Sequence, residues 1–259
     1  MRAAVVRALL RKEFTEAARR GPVGRDMKGG FYVWMAIFHA VGVGMAVVVT
    51  GMASRDPTGV RPVDLLWTGH LAWAGYASMA IATAATEAYV GERERRTLRS
   101  LLVLPATDAE IVAAKVGLIA TLGFIGAVFA SLTWTVVAPF LVGDLPAGPL
   151  IVAAVAAPFI AAALHVATLP ATLAASARAK TLRAAQWRSA WGSLVVIVPF
   201  VVVLIAALGG RLGVVLELVR EHAVALTVFF VLYLLLSLVW LVRLPKSITR
   251  IRLLEVDGR

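Results

Sequence analysis

Residues 116–140 read VGLIATLGFIGAVFASLTWTVVAPF, twenty-five positions without one Asp, Glu, Lys or Arg. At about 1.5 Å per residue, a helix of that length covers the ~30 Å hydrocarbon layer of a bilayer. The run is continuous rather than alternating, so it reads as a spanning helix and not as a barrel strand. Just upstream, Thr107-Asp108-Ala109-Glu110 has the Ser/Thr-x-x-Glu spacing of a capping box, which predicts where the helix opens. Pro105 stops whatever precedes it.

Five more charge-free runs of comparable length lie outward from this one, at about 31–52, 65–86, 150–177, 189–209 and 223–242. The expectation is an all-α, polytopic membrane protein with six transmembrane helices. Composition agrees: 60% of the 259 residues are apolar, 16% are charged and mean hydropathy is +0.85. That balance argues against a soluble enzyme, a disordered chain or a nucleic-acid module. The run at 150–177 carries Pro158 and Pro170, and one long, bent or tilted crossing is expected there. Gly42, Gly44, Gly123 and Gly126 allow close helix approach. Plain bundle packing and a flexing gate are both open for these prolines and glycines.

The net charge of +11 is distributed unevenly. Lys and Arg number eight in 1–30, five in 87–115, four in 178–188 and five in 243–259, against four in the three alternate connections. The positive-inside rule then places both termini in the cytoplasm. The expected organisation is a cytoplasmic amphipathic helix and linker at 1–30, a six-helix domain at 31–243 and a basic tail at 244–259. The polar, basic start is not the pattern of a cleaved signal peptide. There is no Cys, so neither a disulfide framework nor a thiolate metal site is expected.

Two cytoplasmic pieces read as helices that do not cross. In 2–20, Ala3, Val6, Leu10, Phe14 and Ala17 form an apolar stripe flanked by Arg7, Arg11 and Lys12, and Gly21-Pro22 ends it. This is either an interfacial helix in the headgroups or one that also meets a partner. The second piece, 92–104, reads ERERRTLRSLLVL. It offers a Glu92–Arg96 pair at i,i+4 and an apolar edge of Leu98, Leu101 and Leu102. It is either a charged connector or a docking element.

The stretch Glu92-Arg93-Glu94-Arg95-Arg96-Thr97-Leu98, then Leu101-Leu102, Leu104-Pro105, Ile111 and Lys115, resembles the signature of ABC-2 type transporter permeases. That signature reads approximately E-x-E-x-G-T-L-x-x-L-L-x-x-P, followed by a hydrophobic residue and a Lys. Leu10-Arg11-Lys12-Glu13-Phe14 resembles the family's opening helix. Arg96 replaces a common Gly, Arg99 a common acidic residue, and Ala114 the Gly before the Lys. The resemblance implies an exporter subunit of a bacterial inner membrane, working as a dimer with a second copy or a homologue. It makes 92–104 the coupling helix for a separate ABC ATPase subunit and 2–20 the interface helix beside it. The coupling residues it implies are Glu92, Glu94, Arg95, Thr97, Leu98 and Leu101, with Arg11 and Glu13 alongside.

No G-x-x-x-x-G-K-[ST] occurs in the chain, so ATP and Mg²⁺ belong to the expected partner and no cofactor is expected here. No H-E-x-x-H accompanies His39 or His165, which lie within apolar runs, and no carboxylate sits at mid-membrane. An enzyme and an ion-coupled carrier are therefore both disfavoured. His39, His165, Pro158 and Pro170 are the candidates for pathway contact or gating. Membrane lipid is an expected partner and nucleic acid is not. The rival reading is a non-transporting membrane scaffold that docks a cytoplasmic protein.

Overall fold

The computed structural model describes residues 1–20, 40–44, 46–48, 50–51, 60–143, 145–208, 211–250, 253–254 and 256. Most of the run at 31–52, with His39, and the break at Gly21-Pro22 lie outside the described residues. Helical backbone is described at 40–44, 46–48, 50 and 51. The remaining elements are α1 (Ala3–Arg20), α2 (Pro62–Glu94), α3 (Leu98–Leu102), α4 (Asp108–Val142), α5 (Ala147–Arg178), α6 (Leu182–Leu208), α7 (Leu212–Glu221) and α8 (Ala223–Ser247). No strand occurs among the described residues.

Each helix follows from local sequence. α2 starts with Pro62 in its first turn, where a missing N–H costs nothing, and with Asp64 near its positive end. α4 opens on the expected capping box: Glu110 N donates to Thr107 Oγ1 at 3.3 Å, and Thr107 N donates to Glu110 Oε2 at 2.8 Å. It closes at Gly143, whose φ of 85° suits a residue without Cβ. α5 stays one helix through Pro158 and Pro170.

α4, α5 and α8 are long and apolar enough to cross a membrane, with mean hydropathies of 2.1, 2.3 and 2.6 over their best windows. Their outward faces carry large apolar side chains such as Phe129, Val136, Phe159, Phe229 and Leu236. Water would not tolerate apolar exposure on this scale, so these faces mark a membrane protein. In α8 only Ser237 and Leu244 are buried.

The core has two main centres. One joins Leu9 of α1, Tyr89 of α2, Leu98, Leu101 and Leu102 of α3, Ile111 of α4, Leu169 and Leu173 of α5, and Leu244. The other joins Ala46, Leu66, Trp73, Trp134, Ala138 and Ala153. Trp134 is fully buried and its Nε1 donates to the Leu66 carbonyl at 3.0 Å. The close approach this needs is supplied by Gly69, where a Cβ would fall 2.1 Å from Trp134 Cζ2. Gly42 does the same for Trp73, whereas Gly44 has nothing within 4 Å. Gly123 and Gly126 are buried in α4.

The connection before 223 contains α7, whose Leu212 packs on Leu65. One expectation is corrected: 92–104 is not one helix. α2 runs on to Glu94, the chain turns through Arg95 and Arg96, and α3 begins at Leu98. The expected Glu92–Arg96 pair is broken by that turn.

Candidate functional site

The turn between α2 and α3 organises the site. Arg96 has φ of 60°, and it is the one non-glycine residue with positive φ among the described residues. That conformation costs an L-residue about 1–2 kcal/mol. It reverses the chain so that Thr97 N donates to the Glu92 carbonyl at 2.9 Å. The Thr97 hydroxyl also donates to Glu92 Oε2. Glu92 is thereby turned inward, 3% exposed. Arg96→Gly should raise stability by about 1 kcal/mol by relieving the left-handed strain. Thermal unfolding in detergent checks this, and an unchanged or lower midpoint would contradict it.

Lys115 stands two turns into α4 and faces the same interior. Its Nζ lies 3.2 and 3.3 Å from the two Glu13 oxygens and 3.8 Å from Glu92 Oε1. The ammonium also sits 5.4 Å from the centre of the Tyr89 ring, within cation–π range. Lys12 approaches Glu13 at 4.0 Å. One buried lysine therefore joins α1, α2 and α4. Burial pushes the Glu92 carboxyl up, but Lys115, Thr97, Lys12 and Arg95 outweigh it, and the net shift is downward. Tyr89 is pushed well above the usual phenol range by burial, with Glu13 and Asp108 adding to it.

Further polar ties frame this triad. Arg2 donates from Nη2 to Glu110 Oε2 at 3.1 Å and to the Pro105 carbonyl at 2.7 Å. Its backbone N reaches Glu110 Oε1 at 2.7 Å. The Glu110 carboxyl is held far below the usual range by the Arg2 side chain, then by the Thr107 and Arg2 backbone N–H groups. Arg250, beyond α8, donates to Asp108 Oδ1 at 2.9 Å and to the carbonyls of Leu102 and Leu104 at 2.7 and 3.2 Å. Those two arginines thus cap the carbonyls that α3 and its following turn leave open. Arg93 donates to the Ala177 and Ala179 carbonyls at the end of α5. Glu94 Oε1 accepts from Leu182 N at 2.7 Å, at the start of α6. Ser176 Oγ accepts from Tyr89 N and Val90 N at 2.9 and 3.2 Å.

The structure brings all eight expected coupling residues to this one end of the bundle but sorts them. Glu13, Glu92, Leu98 and Leu101 are buried, and Thr97 is half-buried on Glu92. Arg11, Glu94 and Arg95 are exposed. Beside them Arg7, Arg96, Arg99 and Ser100 are also exposed, and Val103 is 80% exposed. The accessible face is therefore basic with one apolar knob. The expected α1 stripe is also rotated: Leu9 and Glu13 are buried while Ala3 is exposed. Leu10 packs at Gly117, and the ion pair draws Glu13 under the helix.

Sequence reasoning missed Arg2 and Arg250 as ties, and it saw Lys115 only as a motif position. The Arg2–Glu110, Lys115–Glu13 and Arg250–Asp108 ties each span more than one hundred residues of sequence, so no local spacing signals them. His165 is 1% exposed, and neither ring nitrogen has a hydrogen-bond partner. It stands about 16 Å along α5 from Ser176, at 1.5 Å per residue, so it is not part of this site. Pro158 and Pro170 are buried within α5. Among the described residues no group of three His, Cys, Asp or Glu could hold a metal ion. Compared with known protein families, curated proteins and solved structures, the chain matches none.

Proposed function

We propose that this chain is the membrane permease subunit of an ABC-2 type exporter, driven by a separate ABC ATPase. The observation that carries the reading is the turn at Arg96. The chain takes a left-handed conformation at the position where the resembled signature has Gly, with Glu92 and Thr97 locked together across it. A motif read from residue types alone gains weight when its Gly position needs the backbone that glycine favours.

The arrangement suits mechanical coupling. α3 is short and buried on one side, and its surroundings are tied to α1, α2, α4, α5 and α6 by charge and packing. A partner pressing on α3 would move these helix ends as one block. Closure of two ATPase subunits on ATP would bias the bundle between two packings, which is how binding energy drives a two-state element. Two copies, or one copy and a homologue, would form the pathway. The topology that goes with this reading has six spans and both termini in the cytoplasm of a bacterial inner membrane, from the distribution of Lys and Arg.

Because Glu92 is buried, charge reversal there would damage the fold as well as any docking. Val103→Asp on the exposed knob is the cleaner test. With an ABC ATPase of the same genome co-expressed, this variant should insert normally, and co-purification of the ATPase should fall about tenfold or more, as for a hot-spot anchor. Wild-type co-purification would overturn the docking assignment. An ATPase-free chain that instead retains another cytoplasmic protein through the same face would favour the scaffold reading.

A further inference from the structure

The opposite end of α2 carries a second charged group, about 42 Å from Glu92 at 1.5 Å per residue. There a cavity of about 310 Å³ lies between the start of α2 and α7. Arg61 donates from Nε and Nη2 to Asp64 at 3.0 and 3.3 Å. Arg220 of α7 donates from Nη2 to the same carboxylate and from Nη1 to Glu217 at 2.9 Å. Burial pushes the Asp64 carboxyl up, but the hydrogen bonds from Arg61 and Arg220 more than reverse this. Asp64 therefore stays ionised and holds both guanidiniums together.

Each guanidinium spends only part of its N–H donors on these carboxylates. The Arg61 and Arg220 side chains are 65% and 42% exposed, and that of Glu217 is 62% exposed. The group holds two positive and two negative charges, so it has no net sign to attract a simple anion from a distance. It does match a ligand that carries both signs. Its depth is set by the sequence: the apolar run of α2 begins at Leu65, directly after Asp64, and that of α8 begins just after Glu221-His222. Beside the charges, α7 exposes Val214 (61%) and Leu218 (56%), one turn apart. Charges at the water boundary next to an outward apolar edge are the pattern of a helix lying in the headgroup layer.

We propose that this cavity binds the headgroup of a zwitterionic phospholipid that carries a primary amine. The phosphate lies on the outward N–H groups of Arg61 and Arg220, where bidentate recognition is available. The amine lies on Glu217, and the acyl chains follow Val214 and Leu218. A cavity of this size sits at the small end for ligand sites, which suits a headgroup and not a larger solute. The proposal rests on the chain being embedded in a membrane but not on its being a transporter.

The test uses the detergent-purified full chain and native mass spectrometry. The probes are a long-chain phosphatidylethanolamine, the matching phosphatidylglycerol, and soluble glycerophosphoethanolamine. The wild type should retain phosphatidylethanolamine at least tenfold over the other two. Arg61→Ala should lower that retention at least fivefold. Glu217→Gln should erase the preference over phosphatidylglycerol. Both substitutions leave the Asp64–Arg220 tie intact, so the fold is kept, and a matching thermal midpoint confirms it. Equal retention of phosphatidylglycerol by the wild type would overturn the proposal, as would variants that behave like wild type. Equal retention of the soluble headgroup would overturn the lipid assignment. A chain that keeps the lipid but pairs with no ATPase would sink the transporter reading and leave this one standing.

Discussion

Lys115→Met should destabilise the block of helix ends around it by about 3–5 kcal/mol, the usual cost of removing one partner from a buried ion pair. The size follows from what is left behind. Glu13 and Glu92 would be left buried with only the more distant Lys12 ammonium near them, and Tyr89 would lose its cation. Thermal unfolding in detergent measures the loss. The triple variant Lys115→Met, Glu13→Gln, Glu92→Gln should recover much of it, because the uncompensated charges are gone. A single variant as stable as wild type would show that the triad holds nothing together. The pH profile gives a second check. Glu92 has a folded pKa below its ordinary value, so its contribution is present at pH above the ordinary carboxylate range. That contribution is lost as pH falls through the lowered folded value. In Lys115→Met the leading cause of that lowering disappears, so the acid limb of the stability curve should flatten or reverse.

Gly69→Ala should cost about 1–3 kcal/mol or more, the range for overpacking a filled interior. The added methyl would meet the indole of Trp134 at 2.1 Å, with Nε1 itself only 2.5 Å away. Trp134 has no empty side to retreat to, since it is fully buried. Moving the ring would also break its bond to the Leu66 carbonyl and leave a buried N–H without a partner. Tryptophan fluorescence and the thermal midpoint should both shift. Trp134→Phe in the same background should restore part of the loss by shrinking the ring. If Gly69→Ala left both readings unchanged, the tight α2–α4 contact would be disproved.

The parts of this fold that were legible in the sequence are those with local causes. Charge-free runs at 116–140 and 150–177 sit inside α4 and α5 because helix length and apolar content are properties of one segment. The box at Thr107 worked because both of its hydrogen bonds are closed within four residues. The break near Arg96 was not legible, since Arg carries no turn signal and the stretch 92–104 reads as one helix. What sequence periodicity could not supply is which way a face turns when a charge is needed inside. On α1 the apolar stripe pointed to Ala3 and Val6, but the buried lysine of α4 selected the face bearing Glu13. Likewise Gly69 looked like one small residue among many, and only the position of Trp134 makes it necessary. The amphipathic α7 is ten residues long, too short to stand out between two apolar runs.

The length of α2 has a mechanical result. Its helix continues from the apolar run at 65–86 to Glu94 without a break. From the middle of that run to Glu94 is about 27 Å at 1.5 Å per residue, so a helix pivoting at its apolar middle would work as a lever. A rocking of about 10° would sweep its Glu94 tip by about 5 Å, nearly the pitch of a helical turn. The arm on the other side of the pivot, ending at Asp64, is about 18 Å and would swing by about 3 Å in the opposite sense. A push on the Glu94 end is therefore felt, reduced and inverted, at the Asp64 end.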